Sequence, residues 1–141
     1  MQGKKILRGT GWVLGGLIVL RVALAFVWPT INDVKTGATP QYPDLQTQHF
    51  SQAYEHVYNA ALAAAQAQGW EITAQDRDHG EIRAVATTKL WHFKDDVTLS
   101  IVHEGNGGAV DMRSHSRVGK GDLGANARRI REFQAELAKR V

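Results

Sequence analysis

The residues able to do chemistry in this chain are few and scattered. Asp95 and Asp96 are the only adjacent acids, and the histidines are His49, His56, His79, His92, His103 and His115. On a strand, neighbouring side chains point to opposite faces, so Asp95 and Asp96 cannot serve as one acid/base dyad. No two histidines stand as H-x-H or H-x-x-x-H and cysteine is absent. Neither a metal site nor thiolate chemistry is therefore expected, and no cofactor is implied. His115 beside Asp96 or Asp111 has the makings of a tuned base, with Ser114 and Ser116 next to it in sequence. Both serines have the opposite strand parity from His115, which weakens a serine–histidine hydrolase. The glycine-rich runs "GNGGAV" and "GKGDLGAN" lack the strand–loop–helix order of a phosphate-binding loop and read as turns.

What remains is a run of arginines, "DMRSHSRVGKGDLGANARRIREF", residues 111–133. Its meaning depends on the elements that carry it. "KDDVTLSIVHE" (94–104) alternates with Val97, Leu99 and Ile101 on one face, and "AVDMRSHSRVG" (109–119) returns with Val110 and Met112 inward. Treating "GNGG" as a four-residue loop sets Asp96 opposite Arg117, Thr98 opposite His115, Ser100 opposite Arg113 and Val102 opposite Asp111. Arg113, His115, Arg117, Asp96 and Asp111 then form one polar row on the outer face. Such a row is either a solvated face with charge pairs or a binding surface for a protein or an anionic ligand, because arginine offers paired donors.

The other elements follow from period and punctuation. "SQAYEHVYNAALAAAQAQG" predicts a helix with Ser51 as N-cap and Gly69 just past its end. "WEITAQ" and "EIRAVATT" alternate as strands around the "DRDHG" turn. A last helix starts at Asp122, with Leu123, Ala127, Ile130, Phe133 and Leu137 at helical spacing. Arg128, Arg129 and Arg131 spread around that helix with Glu132 among them, the pattern of a solvated helix surface. Helix, four antiparallel strands and helix make an α+β domain, both helices covering one face of the sheet and the other face left open. "TTKLWHFKDD" connects two strands with Leu90, Trp91, His92 and Phe93. Trp91 and Phe93 either cap the core edge or protrude as a contact patch for protein or lipid.

The N-terminal part differs in composition. Four of the 17 basic residues (Lys4, Lys5, Arg8, Arg21) precede residue 30 and no acid does, which leaves 13 basic against 14 acidic residues beyond it. A near-neutral body argues against nucleic acid. "GWVLGGLIVLRVALAFVW", residues 11–28, carries one charge and would reach about 27 Å as a helix, close to the thickness of a hydrocarbon core. Residues 1–28 are therefore expected to be a single-pass membrane anchor, with the N-terminus cytoplasmic and the domain on the exported side. The alternative is a signal peptide cleaved after Ala23-Leu24-Ala25, releasing the domain into the same exported compartment. Residues 29–43 hold all three prolines and read as an extended tether, with a short strand possible at 44–50. Residues 44–141 are expected to form the single domain.

"YPDLQ" (42–46), "ATTKLWHFKDDVTLSI" (86–101) and "VDMRSHSRVGKGDLGANARRIREF" (110–133) together resemble the bacterial domain of unknown function 1499 family, over about residues 41–138. The resemblance rests on Asp111, Arg113, Ser114, Ser116, Arg117, Gly119, Asp122, Leu123, Gly124, Asn126, Ala127, Arg129, Ile130 and Arg131. It departs at Trp91-His92-Phe93, where members often have aromatic–Gly–aromatic. It implies no reaction, cofactor or substrate. Asp122 is placed to cap the last helix, with Asn126 and Arg129 returning hydrogen bonds to the preceding turn. The expected function, given the bacterial family, is a membrane-tethered accessory or binding domain on the periplasmic side of the bacterial inner membrane, or free in the periplasm if the N-terminal segment is cleaved. A small hydrolase or lipid-modifying enzyme and a structural subunit of a membrane complex are the alternatives.

Overall fold

A computed structural model describes the backbone of residues 6–141 and the side chains of residues 12–23 and 28–141. The elements are α1 (Ile6–Val27), β1 (Asp33–Lys35), β2 (Gln48–Phe50), α2 (Tyr54–Ala67), β3 (Glu71–Asp76), β4 (Glu81–Thr87), β5 (Lys94–Glu104), β6 (Gly107–Ser116) and α3 (Ala125–Arg140). Lys4 and Lys5 lie outside the described residues. Among the described residues no helix is long and apolar enough to cross a membrane. The anchor expected over 11–28 runs at both ends past the side chains described in α1, which are exposed, Arg21 included.

The sheet is antiparallel and six-stranded, not four-stranded as the alternation alone suggests. Its order is β1-β6-β5-β4-β3, with β2 also pairing with β6. β1 and β2 are three residues each and lie one after the other along the outer edge of β6. No apolar period can show in so short a strand; the edge of β6 creates both. The expected tether is consequently packed on the domain, with Val34 and Tyr42 buried in the core alongside Leu45.

The core-facing residues of the sheet are those the alternation marks: Ile82, Ala84 and Ala86 on β4, Val97, Leu99 and Ile101 on β5, and Val110 and Met112 on β6. Against them lie α2, through Tyr54, Val57, Tyr58 and its alanines, and α3, through Ala127, Ile130, Phe133 and Leu137. Small alanines let α2 approach closely, and Phe133 stacks on Trp70 at 5.7 Å. α2 begins at Tyr54 after Ala53, without a side-chain cap, so Ser51 does not cap it. Gly69 does end it, with φ +75.

The β5–β6 connection is tighter than expected. Glu104 pairs with Gly107, leaving Gly105-Asn106 as a two-residue turn, and Asp96 lies opposite His115 rather than Arg117. Gly105 at φ +59 supplies the positive-φ first position that lets a two-residue turn follow the strand twist. The register moves by two residues, which preserves every face assignment.

Candidate functional site

The polar row does sit on the open face, but its arginines are occupied. Arg113 Nε donates to Asp33 Oδ1 at 2.8 Å, and its Nη2 donates to Asp33 Oδ2. Arg117 Nη2 donates to Asp96 Oδ1 at 2.6 Å and its Nε to Oδ2 at 3.0 Å. Both are two-point, cross-strand diagonal pairs. The hydrogen bond from Arg113 holds the Asp33 carboxyl below the usual range, and that from Arg117 does the same for Asp96. His115 lies opposite Asp33 on one side and Asp96 on the other. Asp111, a member of the same row, accepts hydrogen bonds from Thr36 Oγ1 and Thr47 Oγ1, both at 2.7 Å. Thr36 Oγ1 also accepts from the Met112 amide. Asp111 thus pins the β1–β2 connection to the sheet.

Ser114 and Ser116 face away from His115 into a buried polar cluster at the start of α3. Ser114 Oγ donates to Asn126 Oδ1 at 2.6 Å, and Asn126 Nδ2 donates to Ser116 Oγ at 2.8 Å. Arg129 Nη1 donates to Ser114 Oγ and Asn126 Oδ1, while its Nη2 reaches Asp95 Oδ2 at 2.6 Å. The side chains of Asn126 and Arg129 therefore bind strands β5 and β6, and only the backbone amide of Asn126 reaches the preceding turn. α3 starts at Ala125 with Gly124, not Asp122, at its N-cap position, yet from two residues earlier the Asp122 carboxylate accepts from the amides of Gly124 at 2.8 Å and Asn126 at 3.0 Å, as a cap would. The serine–histidine arrangement is not assembled, because both hydroxyls are engaged inside. Among the described residues no three His, Asp or Glu side chains gather into a possible metal site.

The solvated helix surface expected of α3 does not include Arg129, whose side chain is 11% exposed. The signal for its burial is Asp95, which shares strand parity with Val97, Leu99 and Ile101. A carboxylate on the core face needs a cation from the covering helix.

Trp91 and Phe93 are not folded over the core edge. Trp91 is 69% and Leu90 76% exposed, with Phe93 also open to solvent. They line a groove of about 480 Å³ together with Val118 and Leu123 from the loop before α3. His92 has φ +53, and Leu123 has φ +51. These left-handed conformations cost L residues roughly 1–2 kcal/mol each.

Fold and cluster define an α+β domain in which two helices cover one face of an antiparallel sheet and a buried arginine–aspartate pair locks the last helix down. The chain belongs to the family described as "Protein of unknown function (DUF1499)", which matches residues 23–137. The buried cluster gives a structural role to Ser114, Ser116, Asn126 and Arg129 of the motif, and the amides at the start of α3 give one to Asp122. No curated protein matches the chain. Among solved structures, the crystal structure of TTHA0849 from Thermus thermophilus is similar at 13% identity, covering 77% of this chain and 95% of that one, with a TM-score of 0.41. So loose a likeness transfers neither site nor activity.

Proposed function

We propose that the protein is a membrane-tethered, non-catalytic accessory domain that meets a partner protein through the open face of its sheet. The apolar run at 11–28 and the Lys4, Lys5 and Arg8 excess before it support an anchor with the domain on the exported side. The carrying observation is the charge pattern of the open face. Arg113–Asp33 and Arg117–Asp96 flank His115 as two fixed pairs, so the arginines are held in place and partly neutralised. A free anion would have to displace a carboxylate from each arginine. A protein surface with its own alternating charges meets both members of each pair at once and needs no displacement.

The test is site-specific photocrosslinking from Thr98, between the two pairs, in native membranes of cells making the full-length chain. A discrete adduct that disappears in the double variant Arg113→Ala, Arg117→Ala supports the reading. Absence of any adduct from the open face, with the protein folded and membrane-bound, overturns it. A periplasm-dependent reporter fused after Val141 tests the topology; activity only in the cytoplasm would reverse it.

A further inference from the structure

Four independent features converge on the end of the domain formed by the 88–93 and 117–124 connections. The first is apolar exposure: Leu90, Trp91, Phe93, Val118 and Leu123 all stand open around one groove. The second is backbone conformation. Among the described residues the only non-glycine residues with positive φ are His92 and Leu123, one in each connection. A leucine held left-handed and 57% exposed gains nothing from the core, so its placement has to be explained from outside.

The third feature is the exit of α1. Trp28 lies against Gly124 so closely that a Cβ there would come within 2.5 Å of the indole. Asn32 Nδ2 donates to the Gly119 carbonyl at 2.7 Å, and the Asp122 amide donates to the Ile31 carbonyl at 3.1 Å. The chain after the apolar helix is thus fastened to this end without slack.

The fourth is charge. Arg113, Arg117, Arg129 and Arg131 each hold a carboxylate, whereas among the described residues Lys89, Lys120 and Arg128 hold none. Arg128 donates to the Leu123 carbonyl, and with Lys89 it lines both the apolar groove and its polar continuation. The two carboxylates lining the apolar groove are committed elsewhere, Asp95 to Arg129 and Asp122 to the α3 amides.

We propose that this end docks on the bilayer itself, with the apolar side chains in the headgroup boundary and Lys89, Lys120 and Arg128 on the phosphates of anionic phospholipid. Aromatic and aliphatic tips favour that boundary, and unpaired basic side chains are drawn to an anionic surface within a Debye length. The fastening at Trp28 brings the patch to the membrane wherever α1 lies in it, so the docking rests on the anchor reading of α1. It does not rest on the open sheet face, and a purified system contains no partner for that face.

Because the chain has no cysteine, single cysteines can carry an environment-sensitive fluorophore. Leu90→Cys and Val118→Cys probe the patch. Asn106→Cys probes the far end of β5, about 34 Å away at 3.4 Å per residue. The full-length protein is reconstituted in phosphatidylcholine vesicles with and without phosphatidylglycerol, and flotation of the vesicles reports the anchor separately. The expected result is blue-shifted emission at 90 and 118, quenched by lipids spin-labelled near the headgroup, with no change at 106. The effect should strengthen with phosphatidylglycerol and weaken in Lys89→Gln, Lys120→Gln or at about 1 M salt, where the Debye length falls to about 3 Å. Protein that floats with the vesicles while its probes at 90 and 118 stay as water-exposed as the one at 106 overturns the docking alone. Protein that fails to float overturns the anchor and the docking with it. Equal quenching in both vesicle types overturns the anionic component. Protection from aqueous iodide without quenching by lipid means that a second copy of the chain covers the patch, and also overturns the proposal.

Discussion

Arg129 Nη2 lies 2.6 Å from Asp95 Oδ2, with the two side chains only 11% and 2% exposed. This pair joins α3 to β5 through the interior, and the hydrogen bonds of Arg129 to Ser114 and Asn126 extend the connection to β6. Removing one partner strands a charge in the core. Arg129→Met should therefore cost about 3–5 kcal/mol, whereas Asp95→Leu combined with Arg129→Met should lose less than about 2 kcal/mol. Denaturant unfolding of the full-length protein in detergent measures both. Equal losses would assign the cost to the bonds with Ser114 and Asn126 rather than to the stranded carboxylate.

Asp122 is a helix cap of a different kind, since its carboxylate takes two amides at the start of α3 while Gly124 supplies the left-handed turn. Asp122→Ala should lower stability by about 0.5–2 kcal/mol. Asp122→Asn, which keeps one acceptor oxygen, should recover part of the loss. No recovery would show that the charge next to the helix start carries the effect.

The faces of the sheet are legible in the sequence, and its edges are not. Val97, Leu99, Ile101, Val110 and Met112 are buried as the alternation requires, because parity is a local property. Register is set by the turn. Reading Gly105-Asn106-Gly107-Gly108 as the loop puts Asp96 opposite Arg117 when His115 lies there, and the Asp96–Arg117 pair forms diagonally instead. β2 falls within the short strand expected at 44–50, whereas β1 exists only by pairing with β6 and nothing local announces it. The candidate site is legible in its residue types and not in their commitments. Asp33, the partner of Arg113, comes from a segment without any apolar period. The exposure of Trp91 and Phe93 depends on where the 88–93 connection turns, and composition leaves both outcomes open.

The two surface pairs make the acid limb of stability predictable in sign. Asp33 and Asp96 have carboxyls lowered from 3.8, by the hydrogen bonds from Arg113 and Arg117 respectively. A lowered folded-state value means that the contribution is complete above about pH 5 and is lost as pH falls through the lowered values. Replacing Arg113 by Ala should cost only about 0.2–1 kcal/mol at neutral pH, because the pair is about half exposed and screened by water. The difference between wild type and Arg113→Ala should stay level from about pH 7 to 5 and shrink below about pH 4. A difference that grows on acidification would mean that Asp33 is not the partner in solution.

Gly80 gives the sharpest steric test of the sheet's far end. Its φ is +67 and its carbonyl accepts from the Ile101 amide at 2.7 Å, drawing the β3–β4 turn onto β5. A Cβ at this position would lie 1.9 Å from the Ile101 carbonyl oxygen and 2.8 Å from the Tyr54 hydroxyl. The backbone of a central strand cannot step aside. Gly69 offers the control: its φ is +75, yet a Cβ there meets nothing within 4 Å. Gly69→Ala should therefore cost only the left-handed penalty of about 1–2 kcal/mol. Gly80→Ala adds the clash and should exceed about 4 kcal/mol, enough to unfold a domain of ordinary stability. Unfolding midpoints of the two variants decide it: similar midpoints would mean that the turn does not sit on Ile101 as described, and that β5 is free on that side.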